Sequence, residues 1–295
     1  MARPDATVGQ VLLARIEAQA AVLAGLDDAV RVDEPDAVHR MRVACRRLRS
    51  ALRTYRRLFA AGATDELVAE LRWLAAALGR ARDREVLAER LAARARELPA
   101  ECGPERVAAE LERWGGAEYR RVRPEVLAAL DSPRRRALAA GLAGLLAAPP
   151  LRRRARRPAV PELSRIVARE QRRTGHRVRA ALAAGPEDRD HALHEARKAA
   201  KRARYAGESA APAVGRAADR YVERMKAVQE VLGEHQDAVV AAAALAALGD
   251  QATTSGEAFA YGVLYGGQLA AAEAARDRLP AVWARASRRK LVRFG

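Results

Sequence analysis

Starting at Val38, apolar residues return at Met41, Cys45, Leu48, Leu52 and Tyr55, in steps of three and four that keep one side of an α-helix oily. Similar stretches rich in Ala, Leu, Arg and Glu, with few β-branched runs, fill most of the chain. Proline and glycine interrupt them at Pro35, Gly62, Pro99 to Pro104, Pro133, Pro149 to Pro161, Pro186, Pro212 and Pro280. The pattern predicts helices throughout, broken at those points. The strongest break is PPLRRRARRPAVP, residues 149–161, where four prolines and five arginines crowd together. It predicts a flexible basic linker at 151–157, separating residues 1–150 from 158–295.

The polar side of the Val38 helix carries its own pattern. His39, Arg42, Arg46, Arg49 and Arg53 stand at offsets of 0, 3, 7, 10 and 14, and at about 100° per residue they share an arc of roughly 80°. From Ala37 to Thr64 there is no Asp or Glu, so no acid on the same helix neutralises this stripe. It borders the apolar face, which points it toward a groove or an interior. A shift of 155 residues lays VHRMRVACRRLRSAL over LHEARKAAKRARYAG and repeats the stripe as His194, Arg197, Lys201 and Arg204, with Glu208 where the first copy has Arg53. A shift of 154 then lays LRWLAAALGRARD over MKAVQEVLGEHQD, matching Arg72 to Lys226, Gly79 to Gly233 and Asp83 to Asp237. Two matched blocks in one order predict a duplicated helical bundle.

If the two stripes face each other, they line a channel. Fourteen residues at ~1.5 Å each make a stripe roughly 20 Å long, a shape for a linear polyanion rather than for one small phosphate. Arg72 and Lys226 can add cations, or can sit on the surface. The matched Gly and Asp read as structural: the Gly permits close helix approach or ends a helix, and the Asp caps a helix or holds an arginine. The competing reading makes the stripes ordinary solvated faces. The lack of acidic partners, the adjoining apolar face and the repetition weigh against it.

Charge agrees with the channel. Lys plus Arg number 54 against 37 Asp plus Glu, a net charge of +17, and lysine occurs only at positions 198, 201, 226 and 290. The guanidinium fork suits phosphate oxygens. A GC-rich coding bias would also raise arginine, so placement says more than number. Two cysteines supply neither a disulfide framework nor a metal spacing, which fits a reducing cytoplasm. The N-terminus does not read as a signal peptide, and no unbroken apolar run approaches the length of a membrane span. There is no Walker loop and no nucleophile signature, so neither a catalytic function nor a cofactor or metal is expected. An enzyme acting on such a polyanion would need Asp83, Glu85, Glu234 or Asp237 to hold Mg²⁺. A nucleic-acid binder remains the alternative, although aromatics are 4% of the chain and leave few stacking platforms.

The segments VHRMRVACRRLRSALRTYRRLF and LHEARKAAKRARY, each followed by a helix carrying LG and then Asp, resemble the two signature helices of the CHAD family. The resemblance covers essentially the whole chain. It implies an all-α fold of two pseudo-symmetric four-helix bundles around a basic central channel that binds inorganic polyphosphate and can direct the protein to polyphosphate granules. By position, the channel residues would include His39, Arg42, Arg46, Arg49, Arg53, His194, Arg197, Lys198, Lys201 and Arg204. Glu208 and the alanine-rich second stripe depart from the pattern and predict a weaker or wider second half. The chain shows no alternating Glu-x-Glu-x-Lys strand of the triphosphatase domain that many relatives carry.

Overall fold

The computed structural model describes residues 6–288. Among them the chain is helical, with no strand beyond two isolated bridges. In the first half come α1 (Val8–Ala24), the short α2 (Asp27–Arg31), α3 (Ala37–Thr54), α4 (Asp65–Ala95), α5 (Pro104–Asp131) and α6 (Pro133–Ala147). In the second come α7 (Ala159–Ala183), α8 (Arg189–Val214), α9 (Arg216–Gly249) and α10 (Ser255–Ala286). Packing follows one order in both halves: α1 on α3, α3 on α4 and α4 on α5, then α7 on α8, α8 on α9 and α9 on α10. That order is compatible with a duplicated four-helix unit. The first half adds α2 and α6, the latter packed against α1, α4 and α5.

The periodic apolar face of α3 is the reason it lies where it does. Met41, Cys45, Leu48 and Leu52 are fully buried, and burying a side chain of this kind contributes about 2 kcal/mol. Tyr55, just beyond the helix, is buried as well, and its hydroxyl donates to the Ala206 carbonyl of α8 at 3.3 Å. The halves meet in two places. One apolar cluster runs through α1, α3 and α8; a second joins Leu87, Leu91 and Leu111 of the α4–α5 hairpin to Leu245, Tyr261 and Leu264 of the α9–α10 hairpin.

Two expectations from the sequence change here. Residues 151–157 are not a loose linker. Arg152 N–H donates to Leu58 O (2.7 Å), Val8 N–H donates to Arg157 O (3.0 Å), and residues Arg153–Arg156 form a 3-10 turn. Glu162, fully buried on α7, gathers Arg154, Arg165 (3.2 Å) and Arg157 (3.6 Å), so two arginines of this segment, Arg154 and Arg157, serve a buried carboxylate. Pro212 and Pro280 do not break their helices; each lies inside one. Past Pro280 the helix is held by packing, with Trp283 against Gly175 and Gln171 donating to Ala286 O at 2.9 Å, which offsets the lost backbone hydrogen bond. Val8–Arg31 and Arg216–Gly249 are apolar enough to cross a membrane by length and composition alone, with mean hydropathy 1.2 in each. In the fold both bury core residues, among them Leu12, Ile16, Tyr221 and Met225.

Candidate anion-binding site

The two stripe helices, α3 and α8, pack against each other. Arg42 and Arg46 from α3 and Arg197 and Lys201 from α8 come into one electrostatic neighbourhood. Burial is the first cause that lowers the Lys201 ammonium, to about 6, and Arg46, Arg197 and Arg42 follow, against Asp237. The Arg197 guanidinium is likewise pushed down, first by burial and then by Arg46 and Arg42, with Asp237 and Asp83 opposing. Burial and neighbouring cations act together here, on two helices that pack against each other. The set extends along α3. Burial and then Arg53, Arg46 and Arg72 lower Arg49. Burial and then Arg82, Arg46 and Arg42 lower the His39 imidazole, against Asp36.

The matched Gly and Asp turn out to be the mounts of this cluster. Arg42 forks onto Asp83 at 2.6 and 3.5 Å. Its guanidinium lies over Gly79, where a Cβ would stand 3.4 Å from Cζ. In the second half Arg197 reaches Asp237 at 3.7 Å and lies over Gly233, where a Cβ would stand 3.7 Å from Nε. Each glycine is therefore mid-helix, with an arginine laid across it, rather than ending a helix. Of the alternatives the sequence left open, the Asp holds an arginine.

Other expected residues point elsewhere. Lys198, half exposed, pairs with Glu195 at 2.6 Å, and Lys226 lies 3.9 Å from Glu230. Arg204 pairs with Glu208 at 3.2 Å and lies 5.0 Å from the centre of the Tyr205 ring. The His194 ring nitrogen Nδ1 lies 2.6 Å from Gln236 Oε1. The acids considered for metal binding are each engaged by an arginine: Asp83 by Arg42, Glu85 by Arg82, Asp237 by Arg197 and Glu234 by Arg278.

The sequence reading missed Arg82. Its side chain is 17% exposed and is tethered to Glu85 (2.7 Å) and Asp36 (3.4 Å) beside His39. The available signal was its place one residue before Asp83 in the repeated block, opposite Gln236, which contacts the matching His194. Also missed were Arg56, Arg57, Arg169, Arg173 and Arg202, which with Arg53 surround a cavity at the carboxyl end of α3.

The sequence model of the CHAD domain family matches residues 14–246. Two proteins of Mycobacterium tuberculosis, the uncharacterized proteins MT2285 and Rv2226, are each 36% identical over 261 residues, 86% of this chain. The chain spans about half their length, 49% in each case. The fold is similar to PptA from Streptomyces chartreusis (TM-score 0.77, 25% identity, 95% of this chain and 100% of that one). It is also similar to the CHAD domain from the plant Ricinus communis (TM-score 0.69, 26% identity, 96% and 93%).

Proposed function

The chain belongs to the CHAD domain family, which is associated with polyphosphate binding, and on that premise we propose that it binds inorganic polyphosphate along the groove between α3 and α8. The observation that carries the reading is the packing of Arg42, Arg46, Arg197 and Lys201 from two helices into one place, where burial and mutual repulsion drive the Lys201 ammonium down to about 6. Cations forced together at a cost to the free protein are relieved by a polyanion, and a chain of phosphates relieves many of them at once. Arg49, Arg53 and Arg72 continue the track along α3, Arg82 extends it past His39, and Asp83 and Asp237 hold two of the arginines in place. We take the protein to be a binding module without catalysis of its own, working in the cytoplasm and able to gather at polyphosphate granules.

The test is binding of the purified chain to long-chain polyphosphate and to DNA at equal phosphate concentration. At about 150 mM salt, replacing Arg42, Arg46, Arg197 and Lys201 together by Ala should weaken polyphosphate binding by on the order of a hundredfold. Equal affinity of the parent for DNA, or undiminished binding by the variant, would overturn the reading.

A further inference from the structure

The groove does not account for the cavity where α3 ends. This space of about 460 Å³ is surrounded by Arg53, Arg56 and Arg57 after the last turn of the stripe, by Arg169 and Arg173 of α7 and by Arg202 of α8. Two carboxylates, Asp65 and Glu170, stand against these six guanidiniums, and Glu170 is already held by Arg169 at 3.2 Å. Arg202 is pushed down by burial first and then by Arg173 and Arg53, against Glu170 and Glu195, and its buried Nε has no hydrogen-bond partner. The N-terminus of the 31-residue α4 contributes Thr64 and Asp65 to the wall, adding the partial positive charge of a helix start. The rest of the lining is Leu52, Thr54 and Val68, with no aromatic ring on which a nucleobase could stack.

The same protein shows how such a place looks when it is filled. The 155-residue shift that relates the stripes carries Arg53 to Glu208 and pairs Arg47 with Arg202. Glu208, 16% exposed, lies among Arg15 (3.1 Å), Arg204 (3.2 Å) and Arg47 (3.4 Å). In the second half a carboxylate from the chain itself occupies the centre of an arginine cluster. In the first half the matching residue is one more arginine, and the cluster surrounds an open cavity.

We propose that this cavity is a second anion site, separate from the groove, that takes a compact run of linked phosphoryl groups where the other half uses its own Glu208. The volume lies in the range of small-ligand pockets and accommodates several such groups. They can come from a free short oligophosphate or from the terminus of a long chain. The inference borrows the anion chemistry of the groove reading but none of its residues except Arg53, so the two can fail separately.

Calorimetric titration with tripolyphosphate, beside long-chain polyphosphate, is the experiment. Changing Arg56→Ala and Arg173→Ala together should weaken tripolyphosphate binding by about tenfold or more. Arg42→Ala with Arg46→Ala should change it by less than about threefold, since those groups lie in the other site. A second variant, Arg53→Glu, imitates the Glu208 arrangement and should abolish tripolyphosphate binding while circular dichroism and melting show an intact fold. Tripolyphosphate binding that survives both cavity variants, or that falls equally in the groove variant, overturns the proposal. Long chains with both ends blocked as phosphoramidates identify the source. Loss of affinity relative to unblocked chains, seen in the parent but not in the cavity variant, assigns the site to chain ends; no loss assigns it to free oligophosphate. Should the groove variant bind long chains as well as the parent does, the groove reading falls and the tripolyphosphate result still decides the cavity.

Discussion

Where α3 ends, six arginines stand around an open cavity; at the matching point of α8, three arginines close on Glu208. The scaffolds there are alike, a stripe helix packed on the next helix and on the first helix of a bundle. The difference turns on residue 53 against residue 208. A carboxylate inside a guanidinium cluster turns mutual repulsion into attraction and makes the cluster part of the structure. A cation at that place leaves much of the repulsion standing beyond what Asp65 and Glu170 offset, to be relieved by an anion from outside. Stability and binding thus draw on one arrangement, and the sign of one side chain selects between them.

The most forceful way to break the comparison is Glu208→Arg, which would give the second half the first half's charge and leave Arg15, Arg47 and Arg204 facing a fourth cation. Loss of one partner from a poorly solvated ion cluster costs about 3–5 kcal/mol, so denaturant unfolding should show a loss of that order. A second, weak oligophosphate site should appear if the variant stays folded. An unchanged midpoint would mean that the Glu208 cluster is not structural.

Lys201→Met should have a smaller and two-sided effect. The folded protein holds this ammonium at about 6, below the ordinary 10.5. Between those values the unfolded chain binds a proton that the folded chain lacks, so the Lys201 contribution to stability rises with pH across that window and is poorest near its lower end. Replacing Lys201 by Met should raise the melting temperature at pH 7. Polyphosphate should restore the proton, so affinity in the parent should climb as pH falls from 8 toward 6, and the variant should lose that part of the slope. A melting temperature that drops, with the pH slope intact, would contradict both halves of the statement.

The gentlest probe compares Gly79→Ala with Gly233→Ala. Alanine is favoured over glycine within a helix by about 1 kcal/mol. A new Cβ would stand 3.4 Å from the Arg42 guanidinium but 3.7 Å from that of Arg197. Gly233→Ala should therefore gain close to the full amount in thermal unfolding. Gly79→Ala should gain less and should weaken polyphosphate binding slightly by displacing Arg42 from Asp83.

Much of the candidate site could be read along the chain because its pattern recurs in the sequence. The spacing of His39, Arg42, Arg46, Arg49 and Arg53, next to residues that bury Met41, Cys45, Leu48 and Leu52, needs only helical periodicity to be recognised. The second copy shows that the spacing is not accidental. The cavity had no such signal. Arg169 and Arg173 belong to an amphipathic helix with arginines on several sides, and Arg202, though matched to Arg47, lies off the stripe. Their meeting depends on how α7 packs on α8 beside the end of α3.

By itself, the sequence determined the helical class, the duplicated stripes, the excess of arginine over acid and the family, because these rest on periodicity and composition, which are local. Tertiary structure alone decided which charges are relieved and which are not. It showed that Arg152 to Arg157 belong to an ordered turn partly held by the buried Glu162, that Arg204 serves Glu208, that Asp83 and Asp237 hold arginines, and that Lys201 is forced among cations. The reason is physical: the energy of a charge depends on its distance to other charges and on the water left around it, and both are set by residues far away in the chain.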